Sequence, residues 1–214
     1  MRRGLIVLTS VLAGLPPALA GCDPLADSDY VGEPMFTLKG TLVATSKDAP
    51  SASGVALAWQ DPAAAGGPGI ATSVVPVQTE LPATVTIHVP LPPPDAARFA
   101  FDDTDVELAE AFVLLVDDVA VTRPVPRGIV RDRVVVFATH DVADGTQAAD
   151  YLGGPVGAGY HLRRLVQGTP GPSQQIMIDR CIAAGASDAA CQARRGYQLA
   201  PAADDDLVHM VVAP

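Results

Sequence analysis

Residues 83–89 read Ala-Thr-Val-Thr-Ile-His-Val, and their alternation decides the fold class. Val85, Ile87 and Val89 fall on one side of an extended chain, and Thr84, Thr86 and His88 fall on the other. A period of two with β-branched residues on both sides describes a strand with one face on a core and one on solvent. Pro82 and Pro90 bound it, because proline cannot donate to a ladder. His88 lands on the polar side and reads as a solvated strand residue.

Working outward, the same signature recurs. Met35–Ala44 (MFTLKGTLVA) alternates through Phe36, Leu38 and Leu42, with Gly40 a candidate bulge. Val55–Gln60 (VALAWQ) puts Val55, Leu57 and the sole tryptophan, Trp59, on one face, as expected of a core residue. Ile70–Thr79 reads as a strand that Pro76 breaks or confines to an edge. Ala111–Val116 (AFVLLV) and Val134–Thr139 (VVVFAT) are continuous apolar runs, as expected of strands buried on both faces. Tyr160–Gln167 and Leu207–Val212 complete the series. Between them lie loops rich in proline, glycine and aspartate: 61–69, the stiff Pro90–Pro94, and His140–Asp150 running into the glycines of 153–159. Asp95–Glu110 gathers acidic residues, and Arg123–Arg133 is the only basic concentration.

After Gly168–Pro172 the character changes. Ser173 reads as the cap of a helix through Gln174–Ala184, and Ser187 as the cap of a second through Arg195. Long amphipathic helices are missing between the strands, which disfavours a parallel α/β sheet. The expectation is a mainly β domain over 35–214, an antiparallel β-sandwich of about seven or eight strands. A small helical insertion at about 173–196 would be stapled by a Cys181–Cys191 disulfide.

The start of the chain is of another kind. Arg2 and Arg3 precede an apolar run, Gly4–Leu15, which is shorter than the roughly 20 residues a membrane-spanning helix needs. Pro16 and Pro17 break any helix, and Leu19-Ala20-Gly21-Cys22 follows. Together these resemble the signal peptide and lipobox of bacterial lipoproteins. That resemblance implies removal of residues 1–21, diacylglycerylation of the Cys22 thiol and acylation of its new amine. Asp23 resembles the inner-membrane retention signal of enterobacterial lipoproteins. An ordinary signal peptide cut after Ala20 is the competing reading, since Ala18-Leu19-Ala20 also suits a general signal peptidase. Residues 22–34 are polar and broken by Pro24, Gly32 and Pro34, as expected of a tether. With Cys22 lipidated, Cys181 and Cys191 remain as an even pair, which an exported domain favours as a disulfide.

The lipobox, Phe36–Gly40, Val55–Gln60, Leu81–Thr84 and Pro92–Pro94 are together similar to uncharacterised lipoproteins of high-GC Gram-negative bacteria, especially myxobacteria. That likeness implies a fold and a location, and no activity.

Charge narrows the partners. There are 14 basic and 24 acidic residues, a net charge of −10, and losing Arg2 and Arg3 makes it more negative. Nucleic acid and polybasic membrane contact are disfavoured, so the membrane is met through lipid on Cys22 and any further partner is an envelope protein. All but Lys39 and Lys47 of the basic residues are arginine, which fits a GC-rich genome.

Chemistry-bearing patterns are sparse. There is no Gly-x-Ser-x-Gly elbow and no His-Glu-x-x-His. His140-Asp141 with Asp144 and His161 is the nearest approach to a zinc set, and Asp102-Asp103-Thr104-Asp105 the nearest to a calcium loop. Asp117–Asp118 and Asp204–Asp206 are lesser acidic clusters. Each reads better as a solvated loop, and no cofactor is expected. The function expected is non-catalytic: an anchored domain that binds or scaffolds an envelope component. The alternatives are a small-ligand or carbohydrate module using Tyr30, Tyr151, Tyr160 and Tyr197, or, less favoured, a hydrolase with residues gathered from distant strands.

Overall fold

The computed structural model describes residues 32–44, 54–60, 70–71, 75–76, 82–117, 125–183, 197–202 and 208–213. The fold is mainly β. Its elements are β1 (Phe36–Ala44), β2 (Gly54–Trp59), β3 (Ile70–Ala71), β4 (Val75–Pro76), β5 (Ala83–Val89), β6 (Arg98–Ala100), β7 (Glu107–Asp117), β8 (Val125–Ala138), α1 (Gln147–Leu152), β9 (Gly159–Gln167), α2 (Pro172–Ala183), β10 (Tyr197–Pro201) and β11 (Val208–Ala213). Hydrogen bonds run through them in the order β3-β2-β7-β8-β11-β1-β5. β9 joins β8 and carries β10, while β4 and β6 add to β2 and β7.

The alternation at 83–89 holds residue by residue. Ala83, Val85, Ile87 and Val89 are buried, while Thr84, Thr86 and His88 lie outward. Val55, Leu57 and Trp59 share one face of β2 and join Leu38 and Leu42 of β1 in one core. Val85, Ile87 and Val89 of β5, Ala111, Val113 and Leu115 of β7, and Val135 and Phe137 of β8 complete it. β7 and β8 are covered on both faces, as their unbroken apolar runs require. Leu108, Val134, Val136 and Ala138 point the other way, into a second core beneath α1 and α2.

β8 explains how one strand serves two neighbours. Its second half pairs with β9 through Arg133–Ala138, and its first half meets β11 at Ile129 and Val130. β7 accompanies both halves, but the register slips between Phe112 and Leu114, where β8 holds extra residues. Such a bulge bends the strand and lets its halves face different partners.

Several expectations are corrected. Among the described residues pairing is antiparallel except between β1 and β11, which run parallel from Gly40–Val208 to Ala44–Val212. A long chain excursion separates these two strands, so nothing local forces a hairpin. Gly40 is no bulge: the β1–β5 register is unbroken from Phe36–Val89 to Leu42–Ala83. The basic stretch before Val134 forms, from Val125 on, the first half of β8, which was not expected as a strand. Short pieces bring the strands to eleven among the described residues, since within Ile70–Thr79 β3 and β4 appear, and β6 and β10 were not expected.

The region read as loop from His140 to Gly159 contains α1. Thr146 caps it, accepting from the Ala149 N–H, and Gly153 ends it in the left-handed region at φ 73°. Ser173 is not a cap either. The helix opens with Pro172 in its first turn, a position that needs no N–H, and Ser173 is buried inside. The cap comes from Asp150, whose Oδ2 accepts from the Ser173 N–H at 3.1 Å. The expected second helix at 187–195 lies outside the described residues.

Candidate functional site

The largest concentration of buried polar chemistry lies where α1 covers β7. Along β7, Leu108, Glu110 and Phe112 share the face beneath the helices, with Glu110 opposite Val136 and Phe112 opposite Val134. Glu110 is only 6% exposed, although its neighbours are apolar. A carboxylate stripped of water in this way needs a donor. α1 supplies it: the Tyr151 hydroxyl donates to Glu110 Oε2 at 2.5 Å. Tyr151 is itself 9% exposed and held by rings, with Phe99 edge-on at 5.7 Å and Phe101 tilted at 5.6 Å. Arg163, 5% exposed, stands opposite Val134 on the same face.

Around this pair, the acidic residues brace the fold. Asp103 Oδ2 accepts from the Gln147 N–H at 2.8 Å, so the candidate calcium loop closes the first turn of α1. Asp102 lies 3.7 Å from Arg180 of α2, whose other guanidinium nitrogen donates to the Ala100 carbonyl on β6. Thr104 Oγ1 accepts from the Val106 N–H, which sharpens the same turn. The acidic loop thus ties two helices to the sheet.

The candidate zinc residues are also dispersed into local bonds. His140 Nδ1 meets Thr139 Oγ1 at 3.1 Å, Asp141 Oδ1 accepts from the Ala158 N–H, and His161 Nε2 meets the Gly157 carbonyl at 2.8 Å. Among the described residues no group of three or more His, Cys, Asp or Glu is placed to hold a metal. Asp118 and Asp204–Asp206 lie outside the described residues.

The tyrosines expected to line a ligand face do not gather. Tyr151 is inside the second core and Tyr197 is exposed on β10. Tyr160 belongs to a cluster at the edge of the first core, stacked on Phe36 at 5.5 Å and tilted against Phe137 at 4.8 Å and Trp59 at 5.9 Å. Its hydroxyl donates to the Leu91 carbonyl, fastening the proline-rich crossing to β9. Burial pushes the Tyr160 phenol well above its ordinary value, opposed in part by the positive charge of Arg98. Tyr30 lies outside the described residues. Trp59 is wholly buried, and its indole N–H finds no acceptor among the described residues.

Of the modification residues, Cys22 and Cys191 lie outside the described residues. Cys181 is buried on α2 beside Ile178. No helix among the described residues is long and apolar enough to cross a membrane.

Sequence reasoning passed over Glu110 and named Tyr151 only as a candidate ligand-face tyrosine. Glu110 was counted with the acidic stretch before it, yet it keeps step with Leu108 and Phe112 on one strand face, which was the available signal. No protein-family model, curated protein or solved structure matches this chain.

Proposed function

We propose that this chain is a lipid-anchored lipoprotein of the cell envelope whose exported domain is a non-catalytic binding or scaffolding β-sandwich. The observation that carries the reading is the leader: two arginines, a short apolar run, two prolines and Leu19-Ala20-Gly21-Cys22. Cys22 takes the lipid, residues 22–34 act as a tether, and the domain begins at 35. It sits on the exported side of the inner or outer membrane. Two or more acyl chains hold a protein stably where one does not, at about 0.8 kcal/mol per buried CH₂.

A sandwich is supported by the shared core, to which β1 and β5 contribute together with β2, β7 and β8. A Cys181–Cys191 disulfide would staple the segment after α2; the buried position of Cys181 suits it.

Mass spectrometry of the native N-terminal peptide tests the anchor. Cys22 carrying a diacylglyceryl thioether and an acylated amine is the expected result, and Cys22→Ser should release the protein from the membrane fraction. An unmodified thiol at residue 22, or an intact leader, overturns the placement. Recovery of a stoichiometric partner from detergent-solubilised envelope tests the scaffolding role; a protein recovered alone at native levels counts against it.

A further inference from the structure

Most sheet edges among the described residues are blunted. β3 and β4 form a broken edge ending at Pro76. β6 is three residues long and its Ala100 carbonyl is taken by Arg180. β10 ends in Pro201, and its Leu199 carbonyl lies so close to Gly153 that a Cβ there would approach it to 2.2 Å. These are the devices by which proteins keep strand edges from pairing with other chains: prolines, shortness and cover.

Among the described residues β5 shows none of them, pairing with β1 on one side only at the end of the strand order. Its seven residues form an unbroken register with β1, so the strand carries no bulge. It contains no charged residue and no proline, and three of its seven residues are β-branched threonine or isoleucine flanked by valines. Pro82 and Pro90 confine the open edge to this one stretch.

We infer that β5 is a self-association edge that pairs antiparallel with β5 of a second copy about a two-fold axis through Thr86. The strand is self-complementary about that residue. Ala83 then stands opposite Val89 of the other copy, Thr84 opposite His88, Val85 opposite Ile87, and Thr86 opposite itself. Directly opposed residues of an antiparallel pair point to the same face, so apolar meets apolar on the core side and polar meets polar outside. A strand of a different alternation would not match along its whole length.

The lack of charge on β5 suits a like partner. At a net charge of −10 two copies repel, and the uncharged β5 brings no carboxylates face to face. Because the contact is isologous and the flanking prolines end it, it closes at two copies instead of propagating. The inference stands independently of lipid on Cys22.

The test is sedimentation velocity of the full mature chain over a concentration series, with two variants. Thr86→Glu puts two carboxylates together on the axis, yet within one copy it faces Lys39, its register partner on β1, so the fold tolerates it. The expected result is a monomer–dimer equilibrium in the parent chain, with the midpoint raised about tenfold or more in Thr86→Glu. Circular dichroism and thermal midpoint should be unchanged. Thr86→Cys should cross-link to itself under mild oxidation, because opposed Cα atoms in a strand pair lie about 4.5–5.5 Å apart, within disulfide range. Thr84→Cys, which faces His88, should not. A parent chain that stays monomeric at every concentration overturns the inference. So does a dimer that Thr86→Glu leaves intact, and so does equal cross-linking by Thr84→Cys and Thr86→Cys. Should Thr86→Glu fail to fold, the cysteine pair decides alone.

Discussion

Tyr151→Phe removes one oxygen and leaves every ring contact in place, so it isolates what the hydroxyl does for Glu110. In the folded chain that hydroxyl is the hydrogen-bond donor to Glu110 Oε2. Both side chains are more than nine-tenths buried, so water does not step in as a substitute donor. A hydrogen bond to a charged group contributes about 1.5–3 kcal/mol, and a buried acceptor left alone keeps its full desolvation penalty. For a domain of this size, each kcal/mol moves the thermal midpoint by about 2–4 °C, which puts Tyr151→Phe about 3–12 °C below the parent. The assay is a double-mutant cycle with Glu110→Met, read by thermal and urea unfolding. Methionine fills the space without a charge but takes the Glu110 acceptor from the buried Tyr151 hydroxyl, so Glu110→Met alone should also cost about 1–3 kcal/mol, and only the double variant, with both partners apolar, should be nearly neutral. In that background Tyr151→Phe should cost about 0.5 kcal/mol or less, since the acceptor it served is gone. Equal costs in the two backgrounds would refute the reasoning.

Three further outcomes follow from the same geometry. Gly153→Ala should destabilise by about 2–4 kcal/mol in urea unfolding, because the residue is left-handed and its new Cβ would collide with the Leu199 carbonyl at 2.2 Å. Trp59, the sole tryptophan and wholly buried, should emit at short wavelength in the native state and shift red on unfolding; a native maximum typical of exposed indole would contradict its place in the core. Tyr160 should be among the last phenols to ionise in an absorbance titration at alkaline pH. Its folded pKa lies above the unfolded value of about 10, so its contribution is complete below that pH and lost as pH rises through and beyond it. Tyr160→Phe should therefore flatten the alkaline loss of stability.

The parts legible in the sequence share one property: a single strand states them by itself. Residues 83–89 alternate, and they bury as they alternate. Val55, Leu57 and Trp59 meet on one face because the period of two puts them there. The unbroken apolar runs in β7 and β8 are unbroken because cores lie on both sides. What stayed hidden depends on segments far apart in the chain. The six residues of α1 are too few for a helical period to register, and their support comes from Asp103 as well as from Thr146. α2 begins at Pro172 because the carboxylate that closes its end arrives from Asp150. The parallel β1–β11 pair has no turn to announce it. Glu110 was hidden for a related reason, since its charge outweighed its position between Leu108 and Phe112 until the helix above it was in view.

β11 sits inside the strand order, with β8 on one side and β1 on the other. A chain that is made and delivered from its first residue onward must therefore wait. β1 and β5 can zip early, and β7 with β8, and their side chains share one core, but among the described residues no ladder links the two assemblies until residues 208–213 arrive to lie between them. Closing such a gap spends loop entropy before any contact returns it, which makes assembly slow compared with a meander of neighbouring hairpins. For as long as it waits, the nascent protein is two half-built sheets with a slot between them. That slot is shaped to receive a strand, and it is the last strand of the chain that fills it.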